Sequence, residues 1–270
     1  RVYIHSSIKR VEGKNMDYLV AVHTDVGIRK STNQDSVLLQ TAHTNLGNIA
    51  FGCVCDGMGG LAKGELASAT LINAFAAWFQ KDLPEMLAEG FDQAVLYAQW
   101  KNIILTQAKK IEAFGKYHGF HLGTTCVALL LFQNKYYVVN VGDSRAYHID
   151  GAFNQITKDQ TYIQREMDMG RMTPEEARRD PQRNVLLQCV GASEFIEPDF
   201  YSGDVMNGDV FMLCSDGFRH KITPQEMIER LGPGTCIDEA KMKEGCEFLT
   251  ELVKYRKETD NVTVVLIKSE

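Results

Sequence analysis

Short apolar runs separated by polar, glycine-containing segments recur along most of the chain. Many are rich in Val, Ile, Leu and Phe, which is typical of buried or half-buried β-strands. The predicted strands are residues 19–23, 36–41, 48–55, 124–132, 135–141, 145–149, 210–215 and 261–268. Between strands, Gln133-Asn134 and Asp150-Gly151 predict hairpin turns, the second of type I′.

Longer stretches carry apolar residues at helical spacing. The predicted helices are residues 63–80, 91–114 and 237–255, and a polar, partly helical segment spans 160–184. Thr173-Pro174-Glu175-Glu176 and Thr223-Pro224-Gln225-Glu226 are capping-box sequences that predict helix starts. Two groups of strands interrupted by long helices indicate an α+β chain, with two packed sheets flanked by helices.

An aspartate lies at the edge of each of five apolar runs. These residues are Asp35, Asp56, Asp143, Asp216 and Asp260. Each alone is first of all a turn signal, because Asp and Gly favour turns. Together, carboxylates without a nearby His or Cys are the ligands that hard cations such as Mg²⁺ and Mn²⁺ prefer. If the fold brings these strand ends together, the chain holds a metal cluster that can activate water.

Six motifs in a fixed order make the sequence recognisable. They are Asn33-Gln34-Asp35, Asp56-Gly57-Met58-Gly59-Gly60, Gly123-Thr124-Thr125, Gly142-Asp143-Ser144-Arg145, Ser215-Asp216-Gly217 and Asp260-Asn261. Over residues 18–267 they resemble the metal-dependent Ser/Thr protein phosphatases of the protein phosphatase 2C type, most closely the bacterial branch. The resemblance implies a four-layer α-β-β-α sandwich of two antiparallel sheets flanked by helices. It also implies one catalytic domain over 1–270, with a flap at about 160–184.

The same resemblance implies a centre of two Mn²⁺ or Mg²⁺ ions and its ligands. Asp56 is expected to bridge both ions, and the Gly57 carbonyl to bind the second. Asp216 and Asp260 would complete the first ion, while Asp35 would support the second ion directly or through water.

Asp143 resembles the acid that, with Asp216, holds a weaker third ion in this family. Two other interpretations stay open. Asp143 either belongs to a strand-connecting turn with its carboxylate bonded to the backbone, or forms an ion pair with Arg145.

The family carries an arginine just before the Asn-Gln-Asp motif, where it contacts the substrate phosphate. Counting back from Asp35 without a gap places Lys30 at that position, and a shift of one residue places Arg29 there. A guanidinium binds phosphate in bidentate fashion, whereas an ammonium acts as a point charge. Either residue is a candidate catalytic cation alongside Asp56, and the alternative for both is an ordinary solvated charge.

Met58 stands where some relatives have the histidine that protonates the leaving alkoxide, and methionine cannot donate a proton. Water at the metal centre is one substitute. The other is a histidine from elsewhere, among His23, His121, His148 and His220.

Five arginines of the flap are candidates for binding negatively charged groups of the substrate. They are Arg165, Arg171, Arg178, Arg179 and Arg183. The alternative is a solvated helix face on which they pair with Glu166, Glu175 and Glu176.

The composition argues against several classes of function and location. The chain has 270 residues and a net charge of −6, which argues against a nucleic-acid partner. It has no apolar run long enough to span a bilayer, and residues 1–5 lack a signal-peptide core. Seven cysteines without a CxxC pair indicate small buried residues in a reducing compartment rather than a zinc or redox site. We therefore expect a cytoplasmic, monomeric protein that does not insert into membranes.

The leading hypothesis is metal-dependent hydrolysis of phosphoserine and phosphothreonine in proteins, the products of a Ser/Thr kinase. One alternative is a phosphoesterase acting on small phosphorylated molecules. The other is a pseudophosphatase that keeps the fold as a binding or regulatory domain, and the presence of all the core acids argues against it.

Overall fold

The computed structural model describes residues 16–59 and 63–270. Residues 1–5, where a signal peptide was sought, and Gly60 of the second motif lie outside the described residues. The strands are β1 Tyr18–Asp25, β2 Asp35–Thr44, β3 Gly47–Gly59, β4 Leu122–Thr124, β5 Cys126–Phe132, β6 Lys135–Val141, β7 Arg145–Ile149, β8 Phe153–Gln155, β9 Asp199–Asp204, β10 Val210–Cys214 and β11 Val262–Ser269. The helices are α1 Gly64–Gln80, α2 Asp82–Glu89, α3 Gln93–His118, α4 Tyr162–Asp168, α5 Pro174–Arg179, α6 Asp216–Arg219, α7 Pro224–Leu231 and α8 Glu239–Tyr255.

The strands form two antiparallel sheets. One has the order β1-β11-β10-β7-β8, and the other has the order β2-β3-β5-β6-β9, with β4 paired to β3. Helices α1 to α3 pack on the β3-containing sheet, and α6 to α8 pack on the β11-containing sheet. The predicted α-β-β-α sandwich is therefore confirmed.

Side-chain alternation along the strands divides the apolar residues among three core layers. On β3, Phe51 and Cys53 point into the layer shared with α1 and α3. Their neighbours Ala50 and Val54 point into the layer between the two sheets. Because successive strand residues face opposite sides, one continuous apolar run serves two layers.

Both predicted capping boxes are confirmed. The Thr173 hydroxyl accepts a hydrogen bond from the Glu176 backbone N–H, and the Glu176 carboxylate accepts one from the Thr173 N–H. Thr223 and Glu226 repeat the arrangement at α7. These caps satisfy backbone donors that a helix start otherwise leaves free.

Both predicted hairpins are present, but the predicted turn type is wrong at the second. Gln133 and Asn134 both have positive φ, 49° and 61°, as a two-residue type I′ turn requires. In the β7–β8 hairpin, only Gly151 has positive φ, and Ile149 pairs with Phe153. A three-residue loop therefore replaces the predicted type I′ turn at Asp150-Gly151.

Four short elements were not predicted: α2, α6, β8 and β9. Strand β9 is a polar edge strand with the sequence DFYSGD, so it has no apolar run to reveal it. It forms through backbone pairing with β6. No helix within the described residues is both long and apolar enough to cross a membrane.

Candidate metal centre

The five aspartates lie at one edge of the two sheets. In the β3-containing sheet, Asp35 at the start of β2 pairs directly with Asp56 near the end of β3. In the other sheet, Asp216 follows the end of β10 and Asp260 precedes the start of β11. Asp143 follows the end of β6. Antiparallel pairing therefore brings together acids that are far apart in the sequence.

The pKa shifts of these carboxyl groups show that their charges interact. Burial, and then the charges of Asp35, Asp216, Asp260 and Asp143, raise the pKa of Asp56 well above its usual value. Burial also raises the pKa of Asp35 to about 7, with further repulsion from Asp216 and Asp260. Burial and the charge of Asp216 raise the pKa of Asp143 to about 6, against the attraction of a nearby arginine. The acids are therefore close enough that the negative charge of each one disfavours the ionisation of its neighbours.

A hydroxyl connects the acids of the two sheets. The Ser215 Oγ donates to Asp35 Oδ2 at 2.9 Å across the interface between the sheets. The same oxygen accepts from the Thr263 backbone N–H at 3.1 Å. Ser215 therefore fixes the position of the Asp35 carboxylate relative to β11, a role that its place before Asp216 in the motif did not reveal.

The Gly-Thr-Thr motif holds Asp56 by its backbone. The Thr125 hydroxyl accepts from the Asp56 N–H at 3.0 Å, and the Thr125 N–H donates to the Asp56 carbonyl at 2.9 Å. The Thr124 hydroxyl donates to the same carbonyl. With both backbone groups bonded, Asp56 keeps a fixed orientation toward the cluster.

Asn261 ties the loop that precedes β2 to the start of β11. Its side chain is buried and accepts from the Gln34 N–H at 2.9 Å. Its amide donates to the carbonyls of Val26 and Thr32. In the Asp260-Asn261 motif, Asp260 is the predicted ligand, whereas the neighbouring Asn261 amide supplies these structural contacts.

Motif glycines allow the backbones of these segments to touch. A Cβ on Gly57 would lie 2.2 Å from the Gly64 carbonyl oxygen, and one on Gly217 would lie 2.1 Å from the Asn261 carbonyl oxygen. A side chain at either position would force the segments apart. The glycines beside the acids are therefore required by the close approach of these backbone segments.

The chemistry of the donor set suits a hard divalent cation, although among the described residues no three of these carboxylates lie within 4.8 Å of one another. Asp35 Oδ1 and Asp216 Oδ1 are buried and have no hydrogen-bond partner among the described residues. Buried carboxylate oxygens without partners are costly unless a cation or solvent compensates them. An all-oxygen set suits Mg²⁺ or Mn²⁺ better than softer metals.

Lys30 lies at the cluster and Arg29 does not. Lys30 Nζ is 2.9 Å from Asp260 Oδ1, whereas Arg29 is exposed and has no ion pair with a described residue. Burial lowers the pKa of Lys30, but Asp260, Asp56 and Asp216 outweigh it and raise that pKa. Both residues lie in a loop between β1 and β2 rather than in a strand.

Arg145 does not pair with Asp143. Its guanidinium forms two 2.7 Å hydrogen bonds with the Asp159 carboxylate. The cation near Asp143 is Arg219, whose Nη2 lies 3.6 Å from Asp143 Oδ2 and donates to the Asp143 carbonyl at 3.0 Å. Arg219 was not among the predicted site residues, because it follows the Ser-Asp-Gly motif and belongs to no recognised pattern.

Of the four candidate histidines, His220 is placed beside a cluster acid. Its Nε2 lies 3.7 Å from Asp216 Oδ2. Burial and the charge of Arg219 lower its pKa to about 4. His148 instead pairs with Asp209, and His23 lies on β1 near acids of α8. His121 directly precedes β4.

The flap arginines mostly pair within the flap. Arg165 and Arg171 contact Glu166, and Arg179 contacts Glu175. The Arg179–Glu175 pair is exposed on both sides, as the solvated-helix interpretation expects, whereas Arg165 and Arg171 both contact a buried carboxylate.

Three cysteines converge although the chain has no CxxC motif. The Sγ atoms of Cys53, Cys55 and Cys126 lie within 4.8 Å of one another, and all three residues are fully buried. Burial raises the pKa of the Cys53 and Cys55 thiols. Burial acts in the same direction on Cys126, but hydrogen bonds from these two thiols outweigh it and lower the pKa of Cys126 to about 5. All three side chains lie in the apolar layer between the sheet and the helices, where thiols pack as small hydrophobic groups.

Comparisons with known proteins agree with this geometry. The family model described as protein phosphatase 2C matches residues 27–248. The serine/threonine protein phosphatase PstP of Mycobacterium tuberculosis is 34% identical over 247 residues, covering 91% of this chain and 44% of PstP. Protein phosphatase PhpP of Streptococcus pneumoniae is 29% identical over 252 residues, covering 92% of this chain and 96% of PhpP. The chain thus spans less than half the length of PstP and nearly all of PhpP.

A solved structure gives the same result. The catalytic domain of PstP in complex with two manganese ions superimposes with a TM-score of 0.76 at 31% identity. The match covers 94% of this chain and 99% of that domain.

The acid cluster predicts a pH-dependent stability of the metal-free protein. A carboxyl whose pKa rises on folding from 3.8 to about 7 contributes stability that is complete below 3.8 and is lost as the pH rises through 7. Asp35→Asn imitates the neutral carboxyl. In chelator, we expect this variant to melt at a higher temperature than the parent at pH 8, with a much smaller difference at pH 5.

Thermal unfolding followed by circular dichroism measures this difference. Asp204→Asn, a change at an exposed carboxylate, is the control. An Asp35→Asn effect of equal size at both pH values would contradict the expected titration.

Proposed function

Because the chain belongs to the protein phosphatase 2C family, we propose that it hydrolyses phosphoserine and phosphothreonine in proteins at a centre of two Mn²⁺ or Mg²⁺ ions. The observation that carries this proposal is the convergence of five aspartates, two of which present unpartnered buried oxygens. Divalent ions in such a centre lower the pKa of a bound water and offset the charge that develops on the phosphoryl group.

We assign the ligands by position in the cluster. In addition to burial, the charges of the other four acids all raise the pKa of Asp56, which places its carboxylate centrally among them and supports a bridging role. Asp216 and Asp260 flank one side, and Asp35 with the Gly57 carbonyl lies on the other, in the paired ends of β2 and β3. Backbone and hydroxyl contacts hold Asp35 and Asp56 in place before any ion arrives, so binding requires little rearrangement.

Lys30 is the proposed phosphate cation. Its ammonium already reaches the acid cluster, and its 40% exposed side chain can turn toward a substrate in the cleft. As a point charge, it attracts phosphate oxygens without the two-pronged geometry of the arginine that the family usually carries.

Water is the proposed source of the proton for the leaving alkoxide. Met58 has no proton to donate, and His220 has a pKa near 4, so it is neutral at physiological pH. A neutral imidazole is a weak proton donor, which leaves solvent in the cleft as the better acid.

The remaining expectations belong to the same proposal. We propose one catalytic domain with a flap at about 160–184, acting as a monomer in the cytoplasm on products of a Ser/Thr kinase. PstP and PhpP are named as protein phosphatases, which supports protein rather than small-molecule substrates. The intact set of acids weighs against a pseudophosphatase.

The function is tested by phosphate release from a phosphothreonine peptide. We expect turnover with added Mn²⁺ or Mg²⁺ and none after exhaustive chelation, because the aspartates alone supply no electrophile. A small phosphate monoester, assayed in parallel, distinguishes a protein phosphatase from a general phosphoesterase. Strong hydrolysis by the chelated protein would overturn the metal centre, and no hydrolysis with either metal would favour the pseudophosphatase.

Asp56→Asn tests the bridging assignment. Loss of one negative charge between both ions should reduce kcat by more than about 100-fold, the scale for removing one electrostatic group from an active site. The fold should survive, because Asn relieves repulsion in the metal-free cluster. Asp204→Asn, at an exposed acid, should keep full activity. Near-parental turnover of Asp56→Asn at saturating Mn²⁺ would show that another residue bridges the ions.

Lys30 and Arg29 make a matched pair for the phosphate contact. Lys30→Ala should raise KM for the phosphopeptide by about 10-fold or more, because a charge-assisted hydrogen bond to phosphate is lost. Arg29→Ala should change kcat and KM by no more than about 2-fold, as expected for an exposed charge. The opposite ranking would move the phosphate contact to Arg29, and two parental variants would move it to the flap arginines.

A further inference from the structure

A buried network of charged side chains connects Asp143 to the base of the flap. The Arg145 guanidinium on β7 donates two hydrogen bonds to the Asp159 carboxylate, and the Tyr147 hydroxyl accepts a third from it. Arg219 at the end of α6 lies 3.6 Å from both Asp159 Oδ2 and Asp143 Oδ2. Its side chain is only 10% exposed, so this guanidinium stands between two buried carboxylates.

The segment that carries Asp143 is held from the flap side as well. The Gly142 N–H donates to Gln160 Oε1 at 2.7 Å, and the Gln160 N–H donates to the Gly142 carbonyl at 2.9 Å. These contacts fix the backbone next to Asp143, so its carboxylate faces Arg219 from a rigid segment.

Basic side chains compensate the acid cluster at its two ends. Lys30 neutralises Asp260 at one end, and Arg219 neutralises Asp143 at the other. Within residues 16–59 and 63–270, neither Asp35 nor Asp56 has an ion pair with Lys or Arg. The uncompensated charge is concentrated at the centre, where the two proposed ions would bind.

The contact between Arg219 and Asp143 is close but incomplete. The guanidinium donates to the Asp143 carbonyl, while its Nε has no hydrogen-bond partner among the described residues. A cation at 3.6 Å still cancels much of the carboxylate charge in a buried site. A divalent ion approaching Asp143 would meet this positive charge and lose the attraction that an unpaired carboxylate provides.

We propose that Arg219 is the resident counter-cation of Asp143 and excludes an additional divalent ion from the site between Asp143 and Asp216. This inference rests on the proposed two-ion centre and concerns the chain's own residue beside it. Arg219 is then a positioning residue: it holds Asp143 and Asp159 together and limits the number of ions that the acid cluster accepts. The third-ion role expected for Asp143 from the family pattern would require Arg219 to move.

Removal of the guanidinium should open this position to a metal ion. We expect Arg219→Ala to bind one more Mn²⁺ per chain than the parent, or to bind its weakest Mn²⁺ at least about 10-fold more tightly. The double variant Arg219→Ala/Asp143→Asn should return to the parental number, because the additional ion needs the Asp143 carboxylate. Isothermal titration calorimetry with Mn²⁺ on the full chain, with no substrate, measures both.

Two further variants separate this role from a general change in charge. Arg145→Ala also removes a buried arginine of the network, but one that contacts Asp159 and not Asp143, so it should bind the parental number of ions. Arg219→Lys keeps the positive charge and should also resemble the parent. If Arg219→Ala does not fold, Arg219→Gln replaces it, since Gln keeps much of the volume and loses the charge.

The thermal stability of the protein without metal ions gives an independent measurement. In chelator at pH 8, Arg219→Ala should melt below the parent because Asp143 is left uncompensated, and adding Asp143→Asn should restore most of the loss. Parental ion number and affinity in both Arg219→Ala and Arg219→Gln would overturn the inference while leaving the two-ion centre intact. Absence of Mn²⁺ binding by the parent would overturn the proposed function and this inference together.

Discussion

The mutual repulsion of five carboxylates at one edge of two sheets is the constraint on which the rest of this structure depends. Burial and repulsion raise the pKa of Asp35 to about 7 and that of Asp56 well above its usual value. A loose loop would relieve this by moving the acids apart. Here the direct pairing of β2 with β3 fixes both residues, so the relief has to come from protonation or from bound cations rather than from backbone motion.

The residues between the acids supply the rigidity that this arrangement needs. Ser215, Thr125 and Asn261 use hydroxyl and amide groups to join backbone segments from both sheets. Gly57 and Gly217 let those segments approach to distances that any side chain would prevent. The polar and glycine positions of the motifs are thus explained by packing and hydrogen bonding, while the aspartates are left to provide charge.

The two basic residues at the ends of the cluster differ in what they can do. Lys30 is 40% exposed on a loop, and in the proposed function it would exchange Asp260 for an incoming phosphate. Arg219 is almost fully buried and belongs to a network that reaches the base of the flap through Asp159. One positive charge is therefore accessible to solvent, and the other is held inside the protein. Arg219 thus connects the acid cluster to the base of the flap by direct contact with Asp143 and Asp159.

The sequence by itself determined the layers of the fold and the set of acids. Apolar periodicity located the long helices and most strands, and the ordered motifs identified the aspartates, because both signals are local or collinear with the chain. Tertiary structure alone decided which cation meets which acid: Arg145 pairs with Asp159, while Arg219 pairs with Asp143. It also revealed β9, which has no apolar run and exists through its pairing with β6. Such contacts depend on strand register and loop paths between distant segments, and no local pattern of residues encodes them.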